Sequence, residues 1–182
     1  MSSETALIAA ARKGSVAAFT DLVRAYRERL FRFLLTRSAS YADAEDALQD
    51  TLLNAYRYLN SYDPRWRFST WLYRIETNNL ARLHSPETVE SAEIRDEDSN
   101  PLAECIAASE RENLWLTARR LLNDDVFVAM WLRYAEDMSV TDIAAVVGRS
   151  VSWTKVNLMR ARKALDAAMN EAADHDRNEA YG

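Results

Sequence analysis

Between residues 19 and 34 the apolar side chains Phe19, Leu22, Val23, Tyr26, Leu30, Phe33 and Leu34 recur at steps of three and four. That is the period of a helix with one buried stripe, so the pattern predicts a long α-helix. A second helix is expected from about Tyr41 to about Asn60, before Tyr62-Asp63-Pro64, with Ala44, Leu48, Leu52, Ala55 and Leu59 as its apolar face. Its opposite face carries Asp46, Gln49, Asp50, Leu53 and Arg57. A third begins around Phe68 or Ser69 and runs to about Leu83, with Phe68, Leu72, Ile75 and Leu83 on one side. In the C-terminal half helices are expected near 109–122 and 125–135. Ser139-Val140-Thr141-Asp142 then opens like a capping box. The helix over 141–147 should bury Ile143, Ala144 and Val147, and Gly148 can take the left-handed conformation that ends it. Ser150 or Ser152 can cap a further helix that passes Arg162 toward Met169, and the polar EAADHDRNEAYG beyond should fray.

Composition narrows the class. In 182 residues there are only 3 Gly, 3 Pro and 1 Cys, too few glycines for the turns of a multi-stranded β protein or for a phosphate-cradling loop. The lone Cys105 excludes an internal disulfide framework and a Cys-rich zinc site. His84 and His175 lie far apart without ligand-spaced company, so neither a metal nor another cofactor is expected. No apolar run reaches the roughly 18–20 residues of a membrane span, and the N-terminus lacks a signal-peptide core. The expectation is an all-α, soluble, cytoplasmic protein. An enzyme is disfavoured, because no nucleophile–base pair, metal cluster or paired-carboxylate pattern stands out.

Charge is unevenly spread along the chain. The net charge is −5, which argues against a generic nucleic-acid coat, but the cations are segregated. Residues 64–83 carry four basic side chains (Arg65, Arg67, Arg74, Arg82) and one acid, Glu76. Residues 149–163 carry five (Arg149, Lys155, Arg160, Arg162, Lys163) and no acid. Between them, residues 84–110 hold eight acids and one base, Arg95, together with Pro86, Pro101 and several serines. That stretch reads as a flexible acidic linker. Two small helical domains are therefore expected at 1–83 and 109–172, joined by the linker 84–108 and followed by a polar tail at 173–182.

Three segments carry candidate chemistry. A short capped helix, a turn at glycine and a second basic helix is helix-turn-helix grammar. Ser152, Trp153, Lys155 and Asn157 lie in its early turns, where side chains can reach base edges; Arg160, Arg162 and Lys163 are better placed for phosphates. A solvated basic face on a structural hairpin is the alternative. In 65–74, RWRFSTWLYR interleaves cations and aromatics, which suits single-stranded DNA, though Phe68, Leu72 and Trp71 also serve a core. The Asp46/Gln49/Asp50 face is either a wet helix face or an acidic docking surface.

These residues resemble the group IV, or extracytoplasmic-function (ECF), sigma factors of bacterial RNA polymerase, part of the sigma-70 family. Residues 17–35 (AAFTDLVRAYRERLFRFLL) resemble region 2.1 and 43–59 (DAEDALQDTLLNAYRYL) region 2.2. FSTWLYRIETN at 68–78 resembles region 2.3, and YAEDMSVTDIAAVVGRSVSWTKVNLMRARKAL at 134–165 region 4.2. The resemblance implies that Asp46, Gln49, Asp50 and Leu53 dock the β′ clamp coiled coil of core polymerase. It implies that Arg65, Arg67, Trp71, Arg74, Asn78 and Arg82 open and hold the promoter −10 element by capturing flipped bases. Ser152, Trp153, Lys155, Asn157, Arg160, Arg162 and Lys163 would then read the −35 duplex, with the C-terminal domain on the β flap and an anti-sigma factor as a further partner. The linker would thread toward the RNA exit channel. A helix-turn-helix regulator that is not a polymerase subunit is the alternative reading.

The chain departs from the family pattern in four places. After region 2.3 it reads NNLARLHSPE, without the usual Asp and Arg-rich run. The usual Leu-Pro opening of region 4 is Leu122-Asn123, and an expected Arg is Phe127. Trp153-Thr154 replaces the common Thr-Val pair, placing an indole where a small residue normally stands.

Overall fold

A computed structural model describes residues 3–83 and 110–179, with side chains for all of these but 78–83, 110–113 and 171–179. The expected linker 84–108, with Cys105 and His84, lies outside the described residues. The chain divides into two compact units, residues 1–102 and 103–182. Among the described residues every regular element is a helix.

The N-terminal unit contains α1 (Glu4–Arg12), α2 (Val16–Leu35), α3 (Tyr41–Arg57), a 3-10 turn (Leu59–Ser61) and α4 (Phe68–Leu83). Each of the first three helices opens on a serine whose Oγ accepts from the backbone N–H three residues on: Ser3 from Ala6, Ser15 from Ala18, Ser40 from Asp43. Each cap satisfies one of the donors that a helix start leaves unpaired, worth about 1 kcal/mol. Gly14 turns α1 into α2 at φ 91°, a conformation that side chains disfavour. The core is where the predicted stripes meet. Leu22, Leu30, Phe33 and Leu34 of α2 are buried with Ala44, Leu48 and Ala55 of α3 and Phe68, Leu72 and Tyr73 of α4.

Periodicity did not single out α1, because its apolar content is slight: only Ile8 and Ala11 are buried. Polar bonds to distant parts of the chain hold it. Tyr26 of α2 donates its phenol to Glu4. Burial, reinforced by that hydrogen bond and by the Glu4 charge, pushes the phenol well above its ordinary range. Arg12 donates to the carbonyls of Leu59 and Tyr62 and stacks over the Tyr62 ring at 5.6 Å.

A buried ion pair ties α4 to the α2–α3 connection. Arg37 Nη1 lies 3.2 Å from both Glu76 carboxylate oxygens, with the two side chains 8% and 1% exposed. Its guanidinium also lies over the Phe33 ring at 5.2 Å.

The C-terminal unit contains α5 (Glu110–Leu121), α6 (Asp124–Tyr134), α7 (Val140–Val147) and α8 (Val151–Glu179). Helix α6 is its axle: every residue from Val126 to Leu132 is buried, as expected of a helix apolar all round. Helices α7 and α8 pack on it and on each other. Asn123, in place of the usual proline, caps α6 by accepting from Val126 N–H at 3.1 Å. Phe127, in place of the expected arginine, is wholly buried against Trp115 and Trp131. Both departures therefore build the unit.

One local expectation is corrected. Val146, rather than Val147, joins Ile143 and Ala144 in the core, because α7 packs against both α6 and α8 and its buried stripe is centred on Ile143. Past Met169, where the sequence expects a polar tail, α8 continues as helix to Glu179.

Candidate nucleic-acid interface

Three exposed surfaces gather the residues that sequence singles out. The first lies on α3. Ala44, Leu48, Thr51 and Ala55 face the core, which turns Asp46, Gln49, Asp50 and Leu53 outward. Leu53 is 54% exposed, an apolar side chain amid carboxylates and an amide. Tyr56, 37% exposed, borders the same face and meets Phe19 edge-on at 5.1 Å. Such a mixed surface has apolar area to bury and charge to orient a basic partner.

The second surface is built around the start of α4. Phe68 is fully buried, with ring centroids 5.5 Å from Tyr26 and 5.6 Å from Tyr62. Trp71, half-buried, leans on Phe68 and Tyr62 at 5.5 and 5.6 Å. Trp71 thus packs on the core without being fully buried. Arg65, Arg67 and Arg74 are exposed around this aromatic group. Arg65 is folded onto Asp63, with Nε and Nη2 at 2.7 and 2.5 Å from Oδ2. That hydrogen bonding holds the Asp63 carboxyl below its usual range. Asn78 and Arg82 lie on the α4 backbone, but their side chains fall outside the described residues. Arg12 was missed by sequence reasoning: it braces the 59–67 loop through main-chain carbonyls, which leave no mark in a sequence.

The third surface is the helix-turn-helix. Ser139 Oγ accepts from Asp142 N–H at 3.1 Å and donates to its carboxylate at 2.5 Å. Gly148, at φ 65°, ends α7 in the left-handed conformation. Ser150, not Ser152, caps α8, accepting from Trp153 N–H at 3.1 Å. The turn before α7 is closed by Arg133 donating to the Met138 carbonyl at 2.9 Å, and Asp137 sits there at φ 49°.

On α8, Ser152, Lys155, Arg160, Arg162 and Lys163 are all exposed. Trp153 and Asn157 stand on a flank instead. Asn157 Nδ2 donates to the Trp153 carbonyl at 2.9 Å, folding the amide back on its own helix. Trp153 is half-buried beneath the Arg149 guanidinium, 5.5 Å from its ring, and Asp125 grips that guanidinium at 2.5 Å. The indole is therefore pinned to the side of the helix. Val156 and Met159, which charge-based reading passed over, are 40% and 54% exposed. They become visible once the buried stripe Thr154, Leu158, Ala161 and Leu165 is used to orient the helix.

Among the described residues no group of three His, Cys, Asp or Glu side chains could hold a metal ion, and no helix is long and apolar enough to cross a membrane.

Known proteins give these surfaces a family. Residues 22–85 match Sigma-70 region 2, and residues 115–165 match Sigma-70, region 4. The chain is 27% identical over 168 residues to ECF RNA polymerase sigma factor SigW of Bacillus subtilis, covering 85% of this chain and 90% of that protein. It is 30% identical over 175 residues to the ECF RNA polymerase sigma-E factor of Salmonella typhimurium, covering 88% of this chain and 91% of that protein. Among solved structures it resembles CnrH, determined in complex with the cytosolic domain of CnrY. The TM-score is 0.68 and the identity 25%, over 91% of this chain and 96% of that one. With both sigma-70 regions matched in order and relatives aligned over most of their length, the chain belongs to the ECF sigma factors of bacterial RNA polymerase.

Proposed function

We propose that this sigma factor divides promoter recognition among the three surfaces, acting as a non-enzymatic, cytoplasmic polymerase subunit. Asp46, Gln49, Asp50 and Leu53 dock the β′ clamp coiled coil. The second surface (Arg65, Arg67, Trp71 and Arg74, with Asn78 and Arg82 further along α4) opens and holds the −10 single strand. Cations track phosphates, and the aromatic group receives unstacked bases, offsetting an unstacking cost of a few kcal/mol. The α8 surface (Ser152, Trp153, Lys155, Asn157, Arg160, Arg162 and Lys163) meets the −35 duplex, with this unit resting on the β flap. The linker 84–108 joins the two tasks, and an anti-sigma factor is the regulatory partner.

The observation that carries this reading is the pairing, in one chain, of an aromatic–cation surface on α4 with a capped helix-turn-helix whose second helix has no acid between 149 and 163. A regulator acting without polymerase would use the second feature and leave the first idle.

The net charge of −5 makes a clear expectation possible. Two small basic islands do not supply the phosphate contacts needed for strong free binding. The protein alone is therefore expected to bind promoter duplex weakly, and core polymerase should convert this to tight binding. Arg162→Ala should weaken every promoter alike and flatten the salt dependence by about one unit of slope. Fluorescence polarisation with labelled duplexes over a salt series measures both. Tight, sequence-specific binding by the protein alone would contradict the reading.

A further inference from the structure

The outermost side chains of α8 are not all cations. Thr154, Leu158, Ala161 and Leu165 are buried, a stripe at steps of four, three and four that fixes which way the helix faces. At about 100° per residue, the direction opposite that stripe is shared by Ser152, Val156, Met159 and Lys163. All four are exposed. Lys155 and Arg162 lie toward one edge of this face, and Arg160 toward the other. Asn157 is turned back on the Trp153 carbonyl, and Trp153 is pinned by Arg149, so neither occupies the centre. The outward face is thus a hydroxyl, two apolar groups and a cation, fringed by further cations with no acid from 149 to 163.

A face built only to hold phosphates has no use for an exposed valine and methionine. In the major groove, one base edge is apolar: the 5-methyl group of thymine. We infer that Val156 and Met159 are specificity determinants that contact thymine methyl groups in the −35 duplex, while the surrounding Lys155, Arg160, Arg162 and Lys163 hold the backbone. The fringe of cations selects a polyanion over an apolar protein as the occupant of this patch. Selectivity then comes from water excluded between methyls and side chains rather than from a bidentate amide contact. This inference rests on the assignment of α8 to the −35 element.

The test uses the holoenzyme and the −35 sequence it selects from a randomised pool. Thymines of that element are replaced one at a time by deoxyuridine, which removes the methyl and leaves every hydrogen-bonding group. Loss of one buried methyl should weaken binding about fourfold at one or two positions, without changing the salt slope. Val156→Ala or Met159→Ala should abolish the deoxyuridine effect at one position each, and both residues are exposed enough to be replaced without loss of folding. A selected element with no thymine, or equal affinity for the fully deoxyuridine-substituted duplex, would overturn the inference. If binding stayed dependent on −35 sequence in that case, the −35 assignment would survive. Binding indifferent to −35 sequence would instead remove the assignment on which the inference stands.

Discussion

Replacing Glu76 with alanine is expected to cost the N-terminal unit about 3–5 kcal/mol, because it leaves the Arg37 guanidinium buried without its carboxylate. Arg37 and Glu76 are 8% and 1% exposed, so water cannot readily take the carboxylate's place. Alanine favours helix, so the loss is not one of propensity. Against the total stability of a small domain, roughly 5–15 kcal/mol, this is a large share. Removing both charges together, as Arg37→Met with Glu76→Leu, should restore most of it, since an apolar pair pays no desolvation cost. Urea unfolding of the full chain, followed by helicity, compares the three proteins. A single variant within about 0.5 kcal/mol of wild type would show that the pair carries little of the fold. The position of α4 is at stake: the pair ties the helix that bears Trp71 and Arg74 to the turn after α2.

Reversing two charges on α3, with Asp46→Arg and Asp50→Arg, is expected to weaken the complex with core polymerase 100- to 1,000-fold, about 3–4 kcal/mol. Both carboxylates are exposed on the side of α3 away from Ala44, Leu48, Thr51 and Ala55, so helicity and melting should stay near wild type. Like charges brought together at an interface cost several kcal/mol, which is why reversal is the sharper test than removal. Leu53→Ala should produce a smaller loss, from apolar area alone. Competition against a labelled sigma factor for limiting core enzyme reads the affinities. Normal competition by the double variant would leave the face merely solvated.

How much of this was legible depended on whether the signal was local. Helices α2, α3 and α4 announce themselves because each has one buried stripe at helical spacing, and Ser139 and Gly148 bracket α7 by capping rules that act within a few residues. The exposed face of α3 followed from the same periodicity, as the side opposite Leu48 and Ala55, whereas a docking role for it was implied by the family resemblance alone. What escaped is what tertiary structure decides. Helix α1 buries two residues and is held by Arg12 across 47 and 50 positions of chain. The Arg37–Glu76 pair spans 39 positions, and nothing near Glu76 hints that a lone acid in a basic island is buried. On α8, charge drew attention to Lys155, Arg160 and Arg162 at the edges of the outward face, while the exposed apolar Val156 and Met159 between them passed as ordinary. The flank positions of Trp153 and Asn157 depend on Arg149 and on a side-chain bond to the helix backbone, which spacing does not encode.

One chain is expected both to join core polymerase and to choose where it starts. Run-off transcription with purified core enzyme, over templates carrying the selected −35 and −10 elements, measures both. RNA of a single defined start should appear only when this protein is added. Changes in the −35 element should abolish it on duplex DNA but spare it on a template whose −10 segment is already melted. Core enzyme that gains no transcript and no stable complex, while the protein alone occupies a specific duplex, would instead make this protein a helix-turn-helix regulator.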